Sequence, residues 1–233
     1  HTVSDSDRGG ALLRYDLQVI ASWIAPGERV LDLGCGDGEL LNWLIRHRGC
    51  TGTGVERKPS AVLAAMAHGV PVIDADIDRD LELFAADSYD VAVVSRTLQA
   101  TLRPDLVLLE LRRITPRVIL TMPNFGLLRH RLRLLTGHMP QSRDLPYSWY
   151  ASPNLHFTTL LDLEPLFFDT GFRIERRIPL TPSGRPLPLG QIAANLLASA
   201  AIYVLVRDDQ DPQAHPTASP RAASSLRIGP RIE

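Results

Sequence analysis

Apolar residues follow two different spacings along the first half of the chain. Short runs such as "RVLDL" and "VAVV" are rich in Val and Leu, which is typical of buried strands. In "ELLNWLIRH" and "PDLVLLELRRI", apolar residues recur every three or four positions, which predicts helices with one buried face. Between residues 11 and 124, the pattern predicts five strands that alternate with helices. This alternation predicts a doubly wound, parallel α/β sheet with helices on both faces.

The second half of the chain is less regular. "FGLLRHRLRLLTG" predicts an amphipathic helix, and residues 138–159 form a polar, aromatic and proline-bearing segment, here called the aromatic excursion. A further helix and two strands, "FRIERRIPL" and "AAIYVLVR", complete a mostly parallel seven-stranded sheet. Pro, Ala, Ser and Arg dominate after residue 207. We therefore expect one domain over residues 11–207, a flexible N-terminus over 1–10 and a disordered tail over 208–233.

Composition narrows the possible partners. The net charge of the 233-residue chain is -1, which gives no reason to expect binding to nucleic acid or an anionic membrane. No apolar run reaches the roughly 20 residues of a membrane helix, and the start of the chain has no apolar signal core. The two cysteines suggest no disulfide framework, and the histidines lack the spacing of a metal site. These observations predict a cytoplasmic protein without a metal.

Three glycines in "VLDLGCGDGEL" follow a predicted strand and precede a predicted helix. Gly34, Gly36 and Gly38 leave backbone amides open to a ligand, but the spacing differs from the G-x-G-x-x-G loop that binds a pyrophosphate. Asp32, just before the loop, would repel a phosphate and attract an amine. Glu56 ends the second strand, where an acid accepts ribose hydroxyls. An amine-bearing nucleoside without a phosphate, S-adenosylmethionine, fits these features; the alternative is a tight turn that binds no ligand.

The glycine segment resembles motif I of the class I S-adenosylmethionine-dependent methyltransferases. In that resemblance Glu56 matches the acid after the second strand, and Asp76 with Ile77 matches the position beside the adenine amino group. It implies S-adenosylmethionine or S-adenosylhomocysteine as the cofactor. The implied cofactor-binding residues are Asp32, Gly34, Cys35, Gly36, Gly38, Glu56, Asp76, Ile77 and Ser95.

A narrower resemblance covers residues 11–207. "SRTLQATLRPD", "MPNFGLLRHRLRLLTGHMP" and "LPYSWYASPNLHFTTLLD" are similar to the methionine biosynthesis protein MetW family. The resemblance implies a role beside homoserine O-acyltransferase in methionine synthesis. The chain departs from the family pattern at Arg96, where the family has Gln, so we expect a different contact there.

The chemistry of the chain is less well defined than its ligand. Weak catalytic candidates, all in the aromatic excursion, are Tyr147, Tyr150 and His156, and His156 is also suited to fixing a loop. Arginines at 129, 131 and 133 indicate either a solvated helix face or a partner surface. Two hypotheses follow: an accessory protein of homoserine O-acyltransferase that binds S-adenosylmethionine, or a methyltransferase acting on a small molecule. The oligomeric state is not predicted.

Overall fold

The computed structural model describes residues 13–209. The flexible N-terminus expected over residues 1–10 lies outside the described residues, as does nearly all of the tail expected from residue 208. Within the described range, the element order follows the sequence pattern closely. No helix in this part of the chain combines the length and apolar character needed to cross a membrane.

The described chain contains seven strands and seven helices, joined by two short 3₁₀ turns, Leu81–Leu83 and Leu98–Ala100. The strands are β1 (Arg29–Leu33), β2 (Thr51–Glu56), β3 (Val72–Asp74), β4 (Val91–Ser95), β5 (Arg117–Pro123), β6 (Phe172–Leu180) and β7 (Ala200–Arg207). The helices are α1 (Tyr15–Ser22), α2 (Glu39–Arg48), α3 (Pro59–Ala67), α4 (Pro104–Ile114), α5 (Leu128–Leu135), α6 (Leu160–Asp169) and α7 (Gln191–Leu197).

All seven strands form one sheet in the order β3-β2-β1-β4-β5-β7-β6. Strands β1 to β5 pair in parallel, and β7 pairs antiparallel with both β5 and β6. The mostly parallel, doubly wound sheet expected from the sequence is therefore confirmed. Because the order of strands reverses between β1 and β4, a crevice opens there at the carboxyl ends of the strands.

The sheet is buried on both faces by two apolar cores. Leu31, Leu33, Ala92 and Val94 contribute to one core, and their neighbours in the same strands contribute to the other. Successive residues of a strand point to opposite faces, so a strand covered on both sides is apolar throughout. This explains why β4 and β5 appear in the sequence as continuous apolar runs.

Helix α7 is the element that the sequence pattern did not predict. "QIAANLL" is short and follows a proline-rich segment, so its periodicity is weak. Tertiary packing holds it instead, because Ala194 is fully buried in the first core and Asn195 accepts a hydrogen bond at Oδ1 from the Leu160 amide at 3.0 Å.

Candidate functional site

The glycine loop joins β1 to α2 at the reversal point of the sheet. Gly34, Gly36 and Gly38 all have left-handed backbones, with φ of 74°, 58° and 77°, a conformation that other residues rarely adopt. A Cβ at Gly34 would collide with the side chain of Thr97, which follows β4. A Cβ at Gly36 would meet no atom within 4 Å. The loop therefore packs tightly against the residues after β4 at one end and leaves open space above its middle glycine.

Glu56 ties the end of β2 to the glycine loop. Its Oε2 accepts a hydrogen bond from the Gly36 amide at 3.1 Å, and its Oε1 accepts from the amides of Arg57 and Lys58 at 2.9 and 2.8 Å. Three backbone donors thus fix the carboxylate at the carboxyl edge of the sheet. Each oxygen retains acceptor capacity for a ligand hydroxyl.

Asp32 is a buried carboxylate beside this loop. Only 4% of the residue is exposed, and it forms no side-chain hydrogen bond or ion pair within the described part of the chain. Burial, reinforced by the negative charge of Glu56, raises the pKa of Asp32 from 3.8 to about 7. A buried acid without a partner is costly, and a cationic ligand is the group that would offset this cost.

An open cleft of about 270 Å³ runs from Gly34 and Glu56 to the segment after β3. Asp76 and Ile77 both line it. The Asp76 carboxylate is held in place because its Oδ2 accepts from Arg57 Nη1 at 2.9 Å and its Oδ1 from the Asp78 amide at 3.1 Å. Partial burial opposes ionisation of Asp76, but these donors outweigh it and lower its pKa.

Ser95 and Cys35 flank the cleft without lining it. Ser95 ends β4, and its buried hydroxyl has no hydrogen-bond partner among the described residues. Cys35 is half-buried, and burial followed by the charges of Asp32 and Glu56 raises the pKa of its thiol to about 12. This shift favours the neutral thiol, which suits packing in the loop.

The catalytic candidates of the aromatic excursion do not line the cleft. Tyr147 and Tyr150 are 48% and 76% exposed, and Tyr147 instead borders a separate shallow depression with Trp149. His156 lies closer, because its amide donates to the Gln99 carbonyl at 3.0 Å and its Nε2 lies 3.4 Å from the Leu102 carbonyl. These contacts join the excursion to the wall of the cleft.

Arg96 is a functional candidate that sequence reasoning noticed only as a departure from the family pattern. It follows β4 with a left-handed backbone, φ 55°, although it is not glycine. Its guanidinium forms an ion pair with Asp144 of the aromatic excursion at 2.9 Å. Strained non-glycine residues of this kind occur often at ligand sites. The sequence carries no signal for the strain, which depends on tertiary packing.

The family of the chain follows from comparison with known sequences. The family model described as "Methionine biosynthesis protein MetW" matches residues 14–205. The chain belongs to the MetW family. A curated relative, the "Bifunctional methionine biosynthesis protein MetXA/MetW" of Rhodopirellula baltica, is 32% identical over 176 residues. That match covers 71% of this chain but only 28% of the relative, which is much longer.

Solved structures similar to this MetW-family chain share its fold. A SAM-dependent methyltransferase from Archaeoglobus fulgidus aligns with a TM-score of 0.61 at 14% identity, covering 82% of this chain and 91% of that one. A TehB-like SAM-dependent methyltransferase from Corynebacterium glutamicum aligns at 0.58 and 14% identity, covering 85% and 90%. The [4+2]-cyclase SpnF aligns at 0.59 and 16% identity, covering 82% and 80%. The MetW-family chain thus has the methyltransferase fold, and SpnF illustrates that this fold also serves other chemistry.

The residues of this MetW-family chain fit the nucleoside that the fold implies. The unpaired Asp32 carboxylate suits an ammonium group, and Glu56 is fixed where ribose hydroxyls could reach it. A Cβ at Gly36 would meet no atom of the described chain within 4 Å, so the bare glycine leaves space for a ligand to approach the loop. Among the described residues, no group of three or more His, Cys, Asp or Glu is arranged to hold a metal ion.

Proposed function

We propose that this chain binds S-adenosylmethionine or S-adenosylhomocysteine and acts with homoserine O-acyltransferase as an accessory or regulatory partner in methionine biosynthesis. The observation that carries the ligand proposal is the buried, unpaired carboxylate of Asp32 beside a left-handed glycine loop. A dinucleotide phosphate is disfavoured there, because it would place a second negative charge beside a buried acid.

Each part of the ligand has a proposed counterpart in the cleft or in the glycine loop and strand end beside it. Glu56 would accept hydrogen bonds from the ribose hydroxyls, and Asp76 with Ile77 would border the adenine. Asp32 would pair with the amino group, while the Gly34–Gly38 loop allows close approach of the chain. When bound, S-adenosylmethionine supplies an activated methyl group; the proposal needs only that it binds.

The position of the aromatic excursion supports an accessory role. None of Tyr147, Tyr150 and His156 lines the cleft in the described chain, so none of these candidate bases has a contact with it that would support proton transfer. A bound nucleoside can still regulate a partner, provided that it binds two conformations or assemblies with different affinity.

The acyltransferase is proposed as the partner because of the relative that is named for both functions. In Rhodopirellula baltica, one chain carries the MetXA and MetW names together. Two functions joined in one chain work at high effective concentration. A separate MetW-family chain would need a binding surface to achieve the same association.

Helix α5 and the aromatic excursion together offer such a surface. The helix exposes four leucines, Leu128, Leu132, Leu134 and Leu135, at 43%, 55%, 42% and 83%. Trp149 and Tyr150 in the excursion are 75% and 76% exposed. Exposed apolar and aromatic residues beside arginines are typical of protein interfaces. We propose that homoserine O-acyltransferase covers this surface.

A reducing compartment such as the cytoplasm suits the free thiols of Cys35 and Cys50 and is part of the proposal. The test uses the purified chain and the homoserine O-acyltransferase of the same genome. We expect calorimetric binding of S-adenosylhomocysteine and co-elution of the two proteins in size-exclusion chromatography. Absence of both, together with methyl transfer to a metabolite by this chain alone, would favour the methyltransferase hypothesis.

A further inference from the structure

A second cavity of about 310 Å³ lies at the same edge of the sheet as the nucleoside cleft. Arg96 lines both spaces and separates them. The nucleoside cleft lies over β1, β2 and β3, whereas the second cavity lies over β7 and β6, next to the start of α1. Its charged and polar walls include Arg14, Asp16, Arg96, Arg143, Asp144 and Thr181.

Arginines outnumber carboxylates in this cavity. Arg96 lies 2.9 Å from Asp144 and 3.7 Å from Asp16, and Arg14 lies 3.6 Å from Asp16. The two carboxylates are well buried, with side chains 7% and 5% exposed for Asp16 and Asp144. Three guanidinium groups face two carboxylates, which leaves one positive charge without a counterpart in the described chain.

Arg143 is the guanidinium without a carboxylate. Its contact with the chain is weak, with Nη1 3.5 Å from the carbonyl oxygen of Pro182. Within residues 13–209, no acidic group forms an ion pair with it. Because it is exposed and lies at the cavity wall, its donors are available to a ligand.

Two residues of the cavity wall also carry unsatisfied polar atoms. Arg96 Nε and Asp16 Oδ2 are buried without a hydrogen-bond partner among the described residues. Buried polar atoms without partners are rare in folded proteins and call for an explanation. Together with the left-handed backbone of Arg96, they show that Arg96 and Asp16 are held in the cavity wall at a cost to the fold.

We propose that this cavity binds a second small molecule through a carboxylate group, beside the nucleoside site. A cavity of this volume is at the lower end of the roughly 300–1,000 Å³ range of small-molecule sites. It is larger than one carboxylate of the nucleoside's amino-acid tail requires. Guanidinium forks bind carboxylates with two parallel hydrogen bonds, and Arg143 is placed to provide one. Only the identity of the neighbouring nucleoside site rests on the proposed function. Binding of a carboxylate in the second cavity does not require a nucleoside in the cleft.

The test compares the wild-type chain with Arg143→Gln. Arg46→Gln removes the same charge from the exposed face of α2 and serves as the control. S-adenosylhomocysteine affinity is first measured by calorimetry for all three proteins. Each is then equilibrated, with and without S-adenosylhomocysteine, with a defined mixture of the common amino acids, succinate, malate, pyruvate and glycerol. Compounds retained by ultrafiltration are quantified by mass spectrometry.

We expect the wild type to retain at least one carboxylate, and Arg143→Gln to retain it at least about tenfold less well, with Arg46→Gln unchanged. Retention of no carboxylate, or equal retention by Arg143→Gln, would overturn the inference. A loss of S-adenosylhomocysteine affinity in Arg143→Gln would also overturn it, because the cavity would then hold the nucleoside's own tail. Failure of the proposed function has a different signature: the wild type itself would not bind S-adenosylhomocysteine.

Discussion

Replacing Asp32 by asparagine is expected to stabilise the protein while weakening its ligand binding. Burial and the charge of Glu56 raise the pKa of Asp32 from 3.8 to about 7. One pKa unit corresponds to about 1.4 kcal/mol, so ionising Asp32 in the folded protein costs up to roughly 4 kcal/mol. An asparagine side chain at this position is nearly isosteric and never ionises, so it avoids this cost.

The sign of the pH dependence follows from proton linkage. Between pH 3.8 and 7, folded Asp32 holds its proton while the unfolded chain has lost it. The free energy of unfolding of the wild type therefore falls as pH rises through this window and levels off above pH 7. Asp32→Asn lacks this contribution. The free energy of unfolding of the variant should therefore exceed that of the wild type by an amount that grows from about pH 4 to 7.

Urea unfolding at a series of pH values from about 4.5 to 8 measures the difference in free energy of unfolding between the wild type and Asp32→Asn. Asp74→Asn, at an exposed position of β3, is the matched control. Because it keeps Asp32, the pH slope of its free energy of unfolding should equal that of the wild type. Equal pH slopes for wild type and Asp32→Asn would refute the reasoning. Calorimetry on the same proteins should show that wild-type affinity for S-adenosylhomocysteine falls about tenfold per pH unit below about pH 7, because the amine needs an ionised Asp32. The asparagine variant should bind weakly without this trend.

Three further predictions concern the cleft and the partner surface. Glu56→Ala should weaken S-adenosylhomocysteine binding at least about tenfold by calorimetry, since each charge-assisted bond contributes about 1.5–3 kcal/mol; undiminished binding would contradict the assigned role. Gly36→Ala and Gly49→Ala should lose similar stability, because both positions are left-handed and open, but only Gly36→Ala should bind the nucleoside poorly by calorimetry. Equal binding by the two variants would show that no ligand lies above Gly36. Charge reversal at Arg129 and Arg133 should reduce co-elution with homoserine O-acyltransferase and leave calorimetric nucleoside binding intact; unchanged co-elution would exclude these arginines from the interface.

At Gly36 the expectation from the sequence differs from the geometry of the loop. From the sequence alone, we expect a side chain at Gly36 to collide with the turn or the ligand. A Cβ at Gly36 meets no atom of the turn within 4 Å, whereas the left-handed φ of 58° strains any side chain there. A collision with the ligand stays a prediction. Within the loop, a Cβ would meet the chain at Gly34, against Thr97, and at Gly38, against Val70. Both contacts join residues far apart in the sequence, beyond the reach of local patterns.

Strands and most helices were predictable because their apolar spacing is local and strong. The fully buried β4 and the amphipathic α4 are clear examples. Helix α7 was missed because long-range packing stabilises it. The position of Asn124 shows the same limit: its buried amide donates to the carbonyls of Asn195 and Ala198, at 2.9 and 2.8 Å. These contacts confirm that Asn124 fixes a loop, as an Asn in the "MPN" segment suggests, but its partners lie too far along the sequence to be predicted.

Of the cofactor-binding residues predicted from the sequence, Gly34, Glu56, Asp76 and Ile77 line one cleft, but the sequence did not specify their partners in the chain. Glu56 was predicted to accept ribose hydroxyls, and the sequence did not indicate that three backbone amides already hold its carboxylate. Similarly, the ion pair between Arg57 and Asp76 depends on two adjacent strand ends. Such partners arise from the sheet order, which a single sequence does not display.

The most direct test of the proposed function is the activity of homoserine O-acyltransferase with and without this chain, across a titration of S-adenosylmethionine. We predict that adding the chain changes acyltransferase activity and that S-adenosylmethionine shifts this change with a midpoint equal to its calorimetric affinity. Asp32→Asn should shift the midpoint to higher concentration. Acyltransferase activity that is independent of the chain at every S-adenosylmethionine concentration would contradict the account.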